Sequence, residues 1–270
     1  MAPRNKNWTK EEDGIVSNNY HKLTRLEISK LIDRTVFAIQ TRARKLNISS
    51  IEKARKLHKE RIGTYCNENY FEKLTIENCY WAGFLAADGS ISDDGHLALQ
   101  ISDKDYEHCK KFAETIEFTG KLSQYIRKNG IGMCAFSIKS EKLCQDLKKH
   151  FNIIPRKTLV LQPPNLQEKE HIYAYIIGYI DGDGWISLRK NYNHPKLGFI
   201  GQENIIKWIL EHLSNLLTGI EKEKFMTKKI QKYINHCSVS MSNITSVKYI
   251  IQYLQKYNVP KLDRKWGKII

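Results

Sequence analysis

The sequence predicts an α+β fold in which a helix-strand-strand-helix-strand-strand-helix unit occurs twice, behind a small all-α domain of three helices. Three observations point there. Two apolar, helix-like stretches, Trp81-Ala-Gly-Phe-Leu-Ala-Ala-Asp88-Gly89 and Ile176-Ile-Gly-Tyr-Ile-Asp-Gly-Asp183-Gly184, each end in an acid and a glycine, and the acids lie 95 residues apart. The pattern that follows each acid also repeats, so the similarity spans whole halves of a domain. The first sixty residues differ: three short helical segments with fourteen Lys and Arg against seven Asp and Glu. This divides the chain into residues 1–50, a basic linker 51–75, and a repeated domain 76–270 split into 76–170 and 171–270.

The elements follow in order. Thr9 is a helix N-cap, with Glu11, Glu12 and Asp13 in a first turn where negative charge suits the helix dipole. A second helix runs near Arg25–Ile32. A third starts near Thr35, its apolar stripe formed by Val36, Ile39, Ala43 and Leu46. Its other faces carry Gln40, Thr41, Arg42, Arg44 and Lys45, groups suited to a major groove. Residues 51–62 read as a charged, helical linker tracking a phosphate backbone or facing solvent.

In the repeated part, Gly89-Ser-Ile answers Gly184-Trp-Ile, and strand His96–Ile101 answers Lys196–Ile200. Helices Asp105–Ile116 and Asn204–Leu217 come next. Lys121–Ile126 aligns with Lys229–Ile234, and Cys134–Ile138 with Cys237–Met241. Closing helices Ser140–Phe151 and Thr245–Tyr257 both run into a proline followed by a lysine, Pro155-Arg-Lys157 and Pro260-Lys-Leu-Asp-Arg-Lys265. Period-2 alternation puts Leu97, Leu99 and Ile101 on one sheet face and His96, Ala98 and Gln100 on the other. It likewise separates Ile230 and Ile234 from Lys229, Gln231, Tyr233 and Asn235. The polar sets offer hydrogen bonds to base edges and phosphates, or simply meet water.

The chain has 270 residues and holds 44 Lys and Arg against 29 Asp and Glu, a formal charge of +15. That surplus favours a polyanion, since each cation set against a phosphate releases a counterion. Six cysteines show no metal-binding or disulfide spacing and read as packed free thiols. No apolar run is long enough for a membrane helix, and the polar start is not a secretory signal. A monomeric, soluble, cytoplasmic protein, or one in the compartment holding the host genome, is expected.

Small residues at Gly83 and Ala87, and at Gly178 and Gly182, allow the two motif helices to approach closely. Asp88 and Asp183 would then emerge side by side at C-terminal helix ends, where both the dipole and mutual repulsion disfavour them. A divalent cation relieves both penalties. Oxygen donors in a hydrated site favour Mg²⁺, with Mn²⁺ or Ca²⁺ as substitutes. A single Asp-Gly would be no more than a helix stop; two in matched contexts carry more weight.

The two segments resemble the LAGLIDADG motif of homing endonucleases, in its single-chain, two-motif form, from about residue 76 onward. The resemblance implies two αββαββα repeats about a central helix pair, with antiparallel sheets forming a saddle over double-stranded DNA. It implies Mg²⁺-dependent double-strand breaks at long sites, with short 3′ overhangs. Carried over by motif position, Asp88 and Asp183 are metal ligands and catalytic, with Gly89 and Gly184 beside the metal. Asp181, opposite Ala86, is a capping or packing residue. Lys157 and Lys265 match lysines near the scissile phosphates, and Gln100 a strand residue that organises water; Ile200 stands opposite Gln100. Ser92, His96, Tyr125, Arg127, Ser187, Arg189, Lys229, Gln231, Tyr233 and Asn235 are the expected sheet contacts to DNA. Trp8-Thr-Lys-Glu-Glu-Asp13, with Arg34-Thr35 opening the third helix, resembles a Myb/SANT-type helix-turn-helix, with Phe37 standing for a missing core tryptophan. The alternatives are an intron maturase binding RNA, a regulator that binds DNA without cutting, and, for residues 1–50, a docking domain for another protein.

Overall fold

The computed structural model describes residues 7–20, 22–46, 48, 64–188 and 194–267. The linker 51–62 and Arg189 lie outside them. By internal packing the chain divides into two units, residues 1–65 and 66–270. Residues 66–75, read from sequence as linker, belong to the second unit, because Phe71 is fully buried in its core and Cys66, Tyr70 and Leu74 pack against that core. Among the described residues no helix is long and apolar enough to cross a membrane. All six cysteines are free thiols, five of them buried.

The first unit holds α1 (Lys10–Asn19), α2 (Arg25–Ile32) and α3 (Val36–Lys45). Each begins at a threonine whose hydroxyl accepts a backbone N–H, and Thr9 and Thr24 form reciprocal capping boxes with Glu12 and Glu27. Val16, Ile28, Ile39 and Ala43 make the core, with Trp8, Tyr20, Leu23, Ile32 and Ile48 packed around it. Trp8 is held from the far side by guanidinium groups, Arg34 at 4.8 Å and Arg42 at 5.5 Å from the ring centre. Arg34 pairs with Glu12 at 2.9 Å and Arg42 with Asp13 at 2.6 Å. Phe37 is 77% exposed, so it does not replace a core tryptophan. Its place, one residue into α3, faces away from the stripe that Ile39 and Ala43 define.

The second unit is the duplicated one. Repeat one runs α4 (Ile76–Asp88), β1 (Gly89–Ile91), β2 (His96–Ser102), α5 (Tyr106–Thr115), β3 (Ser123–Ile126), β4 (Gly132–Lys139) and α6 (Glu141–Phe151). Repeat two runs α7 (Lys169–Asp183), β5 (Gly184–Leu188), β6 (Pro195–Gly201), α8 (Glu203–Ser214), α9 (Gly219–Met226), β7 (Gln231–Lys232), β8 (Cys237–Met241), α10 (Ile244–Gln255) and α11 (Asp263–Trp266). The sheets share one antiparallel order, β1-β2-β4-β3 and β5-β6-β8-β7. Gly89 pairs with Leu99 and Gly184 with Phe199, so Gln100 and Ile200 are structural equivalents, as read from sequence. Helix α9 has no counterpart in repeat one and was not foreseen.

Alternation holds on β2, where Leu97, Leu99 and Ile101 are buried and Gln100 is exposed. It fails at the hairpin tips. Ile126 is 75% exposed, on the edge strand β3, whose four residues are all exposed. Ile234 is 99% exposed, because β7 stops at Lys232 and residues 233–236 form a turn closed by Tyr233 N–H donating to the His236 carbonyl. The buried sheet faces meet α5 and α6 in repeat one and α8 and α10 in repeat two, with the α4–α7 pair shared between the repeats.

That helix pair is packed backbone to backbone. A Cβ on Gly83 would overlap the Tyr175 carbonyl, one on Gly178 the Tyr80 carbonyl, and one on Gly182 the Ala87 methyl. Neither helix has a side chain there to move aside. Gly178→Ala is therefore expected to destabilise the unit by about 1–3 kcal/mol, the usual range for overpacking a close contact. Urea unfolding measures it; an unchanged midpoint would contradict the close approach.

Candidate active site

The seam fixes where the acids emerge. Asp88 ends α4 and Asp183 ends α7. Asp88 Oδ2 lies 3.3 Å from the point a Cβ on Gly182 would occupy, placing its carboxylate beside the residue that precedes Asp183. Asp88 reaches solvent at its tip and Asp183 is half-buried, yet protein surrounds most of the space around both. Burial pushes the Asp88 carboxyl up to about 6, with the Asp183 charge adding to the effect and Lys265 and Lys157 opposing it. Asp183 is raised as well, again by burial, against Lys157, Lys265 and His236. The fold thus holds two acids where each is less willing to carry charge.

The two lysines are buried at the same helix ends. Lys157 sits in a short 3-10 turn, Lys157–Leu159, and donates to the Ala87 carbonyl at 3.3 Å. Lys265, on α11, donates to the carbonyls of Ile180 at 2.9 Å, Gly182 at 3.3 Å, Gly184 at 2.7 Å and Asp181. Ala87 and Gly182 each precede the acid of their repeat, so the lysines occupy matched places. An ammonium at the carbonyl end of a helix offsets the negative pole that the acids sharpen. Burial lowers the affinity of both lysines for a proton, Lys265 to about 8.

Asp181 is a packing residue. Its carboxylate is buried and accepts from Tyr80 Oη at 2.8 Å, the Leu262 N–H at 3.0 Å and Trp266 Nε1 at 2.7 Å. Tyr80 Oη also lies 2.9 Å from His108 Nε2. Since the tyrosine proton goes to Asp181, His108 must be the Nε2–H tautomer, donating to tyrosine. Burial keeps that histidine neutral, down at about 3. The chain ties α4, α5, α7 and α11 together, and Ala86 leaves repeat one without an equivalent.

A cleft of about 290 Å³ opens beside Asp183. Lys157, Gln202, Asn235 and His236 line it, over Tyr179. Gln202 Nε2 donates to the carbonyls of Thr158 at 2.7 Å and Asn235 at 3.1 Å, joining the Lys157 turn to the β7–β8 hairpin. Gln202 and His236 are absent from the sequence-derived set. Strand alternation does not find Gln202, because β6 ends at Gly201 and Gln202 is the cap of the helix that follows. His236 had no signal, because only the tight turn brings it inward.

The remaining expected residues divide by what they touch. Asp88, Asp183, Lys157 and Lys265 converge. Gln100 lies on the exposed sheet face and accepts from Arg127 at 3.3 Å, one residue past Leu99, the partner of Gly89 that follows Asp88. The Gly184 carbonyl accepts from Lys265 at 2.7 Å; Gly89 is buried, its N–H bonded to the Leu85 carbonyl. Ser92 is a turn residue, its hydroxyl bonded to Asp94 at 2.6 Å and to the His96 N–H at 3.0 Å. His96 pairs with Asp94 at 2.9 Å. Arg42 is a strut against Asp13 and Trp8 and not an open contact. Thr41, Arg44, Lys45, Lys229, Gln231, Tyr233 and Asn235 are exposed, Gln40 and Ser187 half-buried, and Tyr125 39% exposed.

Residues 176–262 match the family described as LAGLIDADG endonuclease. No curated protein matches the chain. Among solved structures the chain is similar to the meganuclease I-SmaMI bound to uncleaveable DNA with a TTGT central four, at 12% identity over 73% of this chain and 87% of that one, TM-score 0.47. It is similar also to the LAGLIDADG meganuclease I-CpaMI bound to uncleaved DNA, at 14% identity over 71% and 88%, TM-score 0.45. A third, the LAGLIDADG meganuclease I-AabMI bound to uncleaved DNA, shares 8% identity over 71% and 86%, TM-score 0.44.

Proposed function

We propose that this chain, whose second repeat matches the LAGLIDADG endonuclease family, is a site-specific DNA endonuclease that hydrolyses one phosphodiester on each strand with the help of divalent metal. The observation that carries the reading is the pair of acids at matched helix ends, each raised by burial, with a lysine buried beside each. Two carboxylates whose charge the protein itself disfavours suit a hard cation with oxygen ligands. Among the described residues no group of three or more His, Cys, Asp or Glu assembles, so phosphate and water would fill the other ligand positions. When bound at Asp88 and Asp183, the metal would polarise the phosphate and favour ionisation of the attacking water.

The chain's own residues do the rest. Lys157 offers an ammonium to the charge that develops on the phosphate oxygens. Gln100 and Gln231 on the exposed sheet faces, with Arg127 and Lys229 beside them, offer donors and acceptors suited to base edges and phosphates. In each cut a water adds to phosphorus, the P–O3′ bond breaks, and O3′ takes up a proton. The basic first unit adds affinity through α3, whose exposed Thr41, Arg44 and Lys45 and half-buried Gln40 form the contact surface.

The test is a supercoiled plasmid carrying a site recovered by binding selection from a randomised duplex library. Mg²⁺ or Mn²⁺ is expected to yield linear plasmid and chelator to abolish it. Tight binding with no cutting in either metal would sink the reading in favour of a regulator, and preferential binding of structured intron RNA would favour a maturase.

A further inference from the structure

The two lysines occupy matched places but are unequally held. An ammonium has three donors. Lys265 faces four backbone carbonyls, so every donor is engaged within the protein. Asp181 reinforces this by gripping the residues on both sides, Leu262 and Trp266. Among the described residues Lys157 has a single acceptor, at 3.3 Å, and no counterpart of Asp181 beneath its turn. It also opens onto the cleft shared with Asp183, Gln202 and His236.

The hairpins differ in the same sense. Beyond the equivalent pairs, nine residues separate Gln124 from Cys134 in repeat one, while four separate Lys232 from Cys237 in repeat two. The shorter hairpin turns at once and carries His236 to the cleft, where its ring stacks on Tyr233 with centres 4.7 Å apart. Gln202 fixes both walls through the Thr158 and Asn235 carbonyls. One centre is thus equipped with an uncommitted ammonium and an imidazole at an open cleft, whereas the lysine of the other is committed to the fold.

We propose that the two strands are cut in a fixed order, beginning with the phosphodiester seated in the cleft between Lys157, Asp183, Gln202 and His236. Lys157 is the catalytic lysine, His236 a ligand of the first-cut phosphate, and Lys265 a positioning residue that holds the end of α7. The inference rests on the endonuclease reading above. Each cut consumes one water across one P–O3′ bond, so the order changes no stoichiometry.

The experiment uses the full chain and the selected plasmid site, with each strand separately end-labelled. The wild-type protein is expected to pass through nicked plasmid in which one strand is always cut first. Lys157→Met slows that strand by roughly a hundredfold, the scale for losing one charge-stabilising donor, and the other strand far less. His236→Gln, at an exposed position that leaves the fold intact, slows the same strand selectively. Lys265→Met lowers the thermal midpoint and slows both cuts together. Simultaneous cutting by the wild type, equal slowing of both strands by Lys157→Met or His236→Gln, or slowing confined to the second-cut strand would overturn the order. A wild-type protein that neither nicks nor linearises the plasmid in any metal overturns the nuclease reading itself.

Discussion

Asp88→Asn and Asp183→Asn are each expected to lower cleavage by about a thousandfold, at the upper end of what one lost charge-stabilising group costs. Asparagine keeps the volume and one carbonyl oxygen but cannot bring a negative charge to a cation. The same variants are expected to be no less stable than the parent, and marginally more so in chelator. Burial already raises both acids, and each sits at the negative pole of a helix beside a like charge. Removing one charge relieves that repulsion, by about 1 kcal/mol or less because Asp88 reaches solvent. Plasmid cleavage and a thermal melt on the same preparation check both halves. Full activity in either variant would remove that acid from the chemistry, and a collapsed melt would show it to be a structural residue.

Asp181→Ala has the opposite signature, a large loss of stability. It strands three buried donors at once: the Tyr80 hydroxyl, the Leu262 N–H and Trp266 Nε1. Unsatisfied buried groups cost about 1–3 kcal/mol each, and the set is not additive, so a total near 3 kcal/mol is expected. Burial outweighs the three hydrogen bonds in setting the proton affinity of Asp181, which stands raised at about 6. The acid is therefore an imperfect anchor whose removal is nonetheless worse than its retention. Urea unfolding gives the magnitude. Limited proteolysis gives the location, because the stretch from Leu262 to Trp266 loses two of its ties to α7, keeping those of Lys265, and should be nicked first. An unaltered midpoint with an intact C-terminal segment would refute the anchoring role.

Much of this was legible before any coordinates. The matched acid-glycine ends, the small-residue spacing at Gly83 and Gly178, and the threonine caps each have a one-to-one physical cause, so they carry directly into structure. The register of Gln100 against Ile200 was legible too, because His96-Leu-Ala-Leu and Lys196-Leu-Gly-Phe share one polar-apolar-small-apolar order. What failed were inferences that needed knowledge of where a strand stops or whom a charge already serves. Ile234 sits on the apolar parity of its segment, yet β7 ends two residues earlier and the parity loses meaning there. Arg42 reads as a free cation on a helix face until Asp13, from another helix, is placed beside it. Phe37 was assigned inward by analogy, against the stripe that Ile39 and Ala43 already set. His236 is the clearest case: nothing local marks it, and only the tertiary path of a four-residue turn brings it to Asp183.

The glycine seam between α4 and α7 has a further consequence. With no side chains between the helices at Gly83 and Gly178, the offset of the two acids is set by the thickness of the peptide backbone itself. Such a ruler cannot be lengthened or shortened by small steps, since the first added carbon already collides with a carbonyl. Under the proposed function, the stagger between the two nicks is then a constant of the scaffold. Sequence preference, written on sheet faces far more tolerant of substitution, is free to drift while the geometry of the break stays the same.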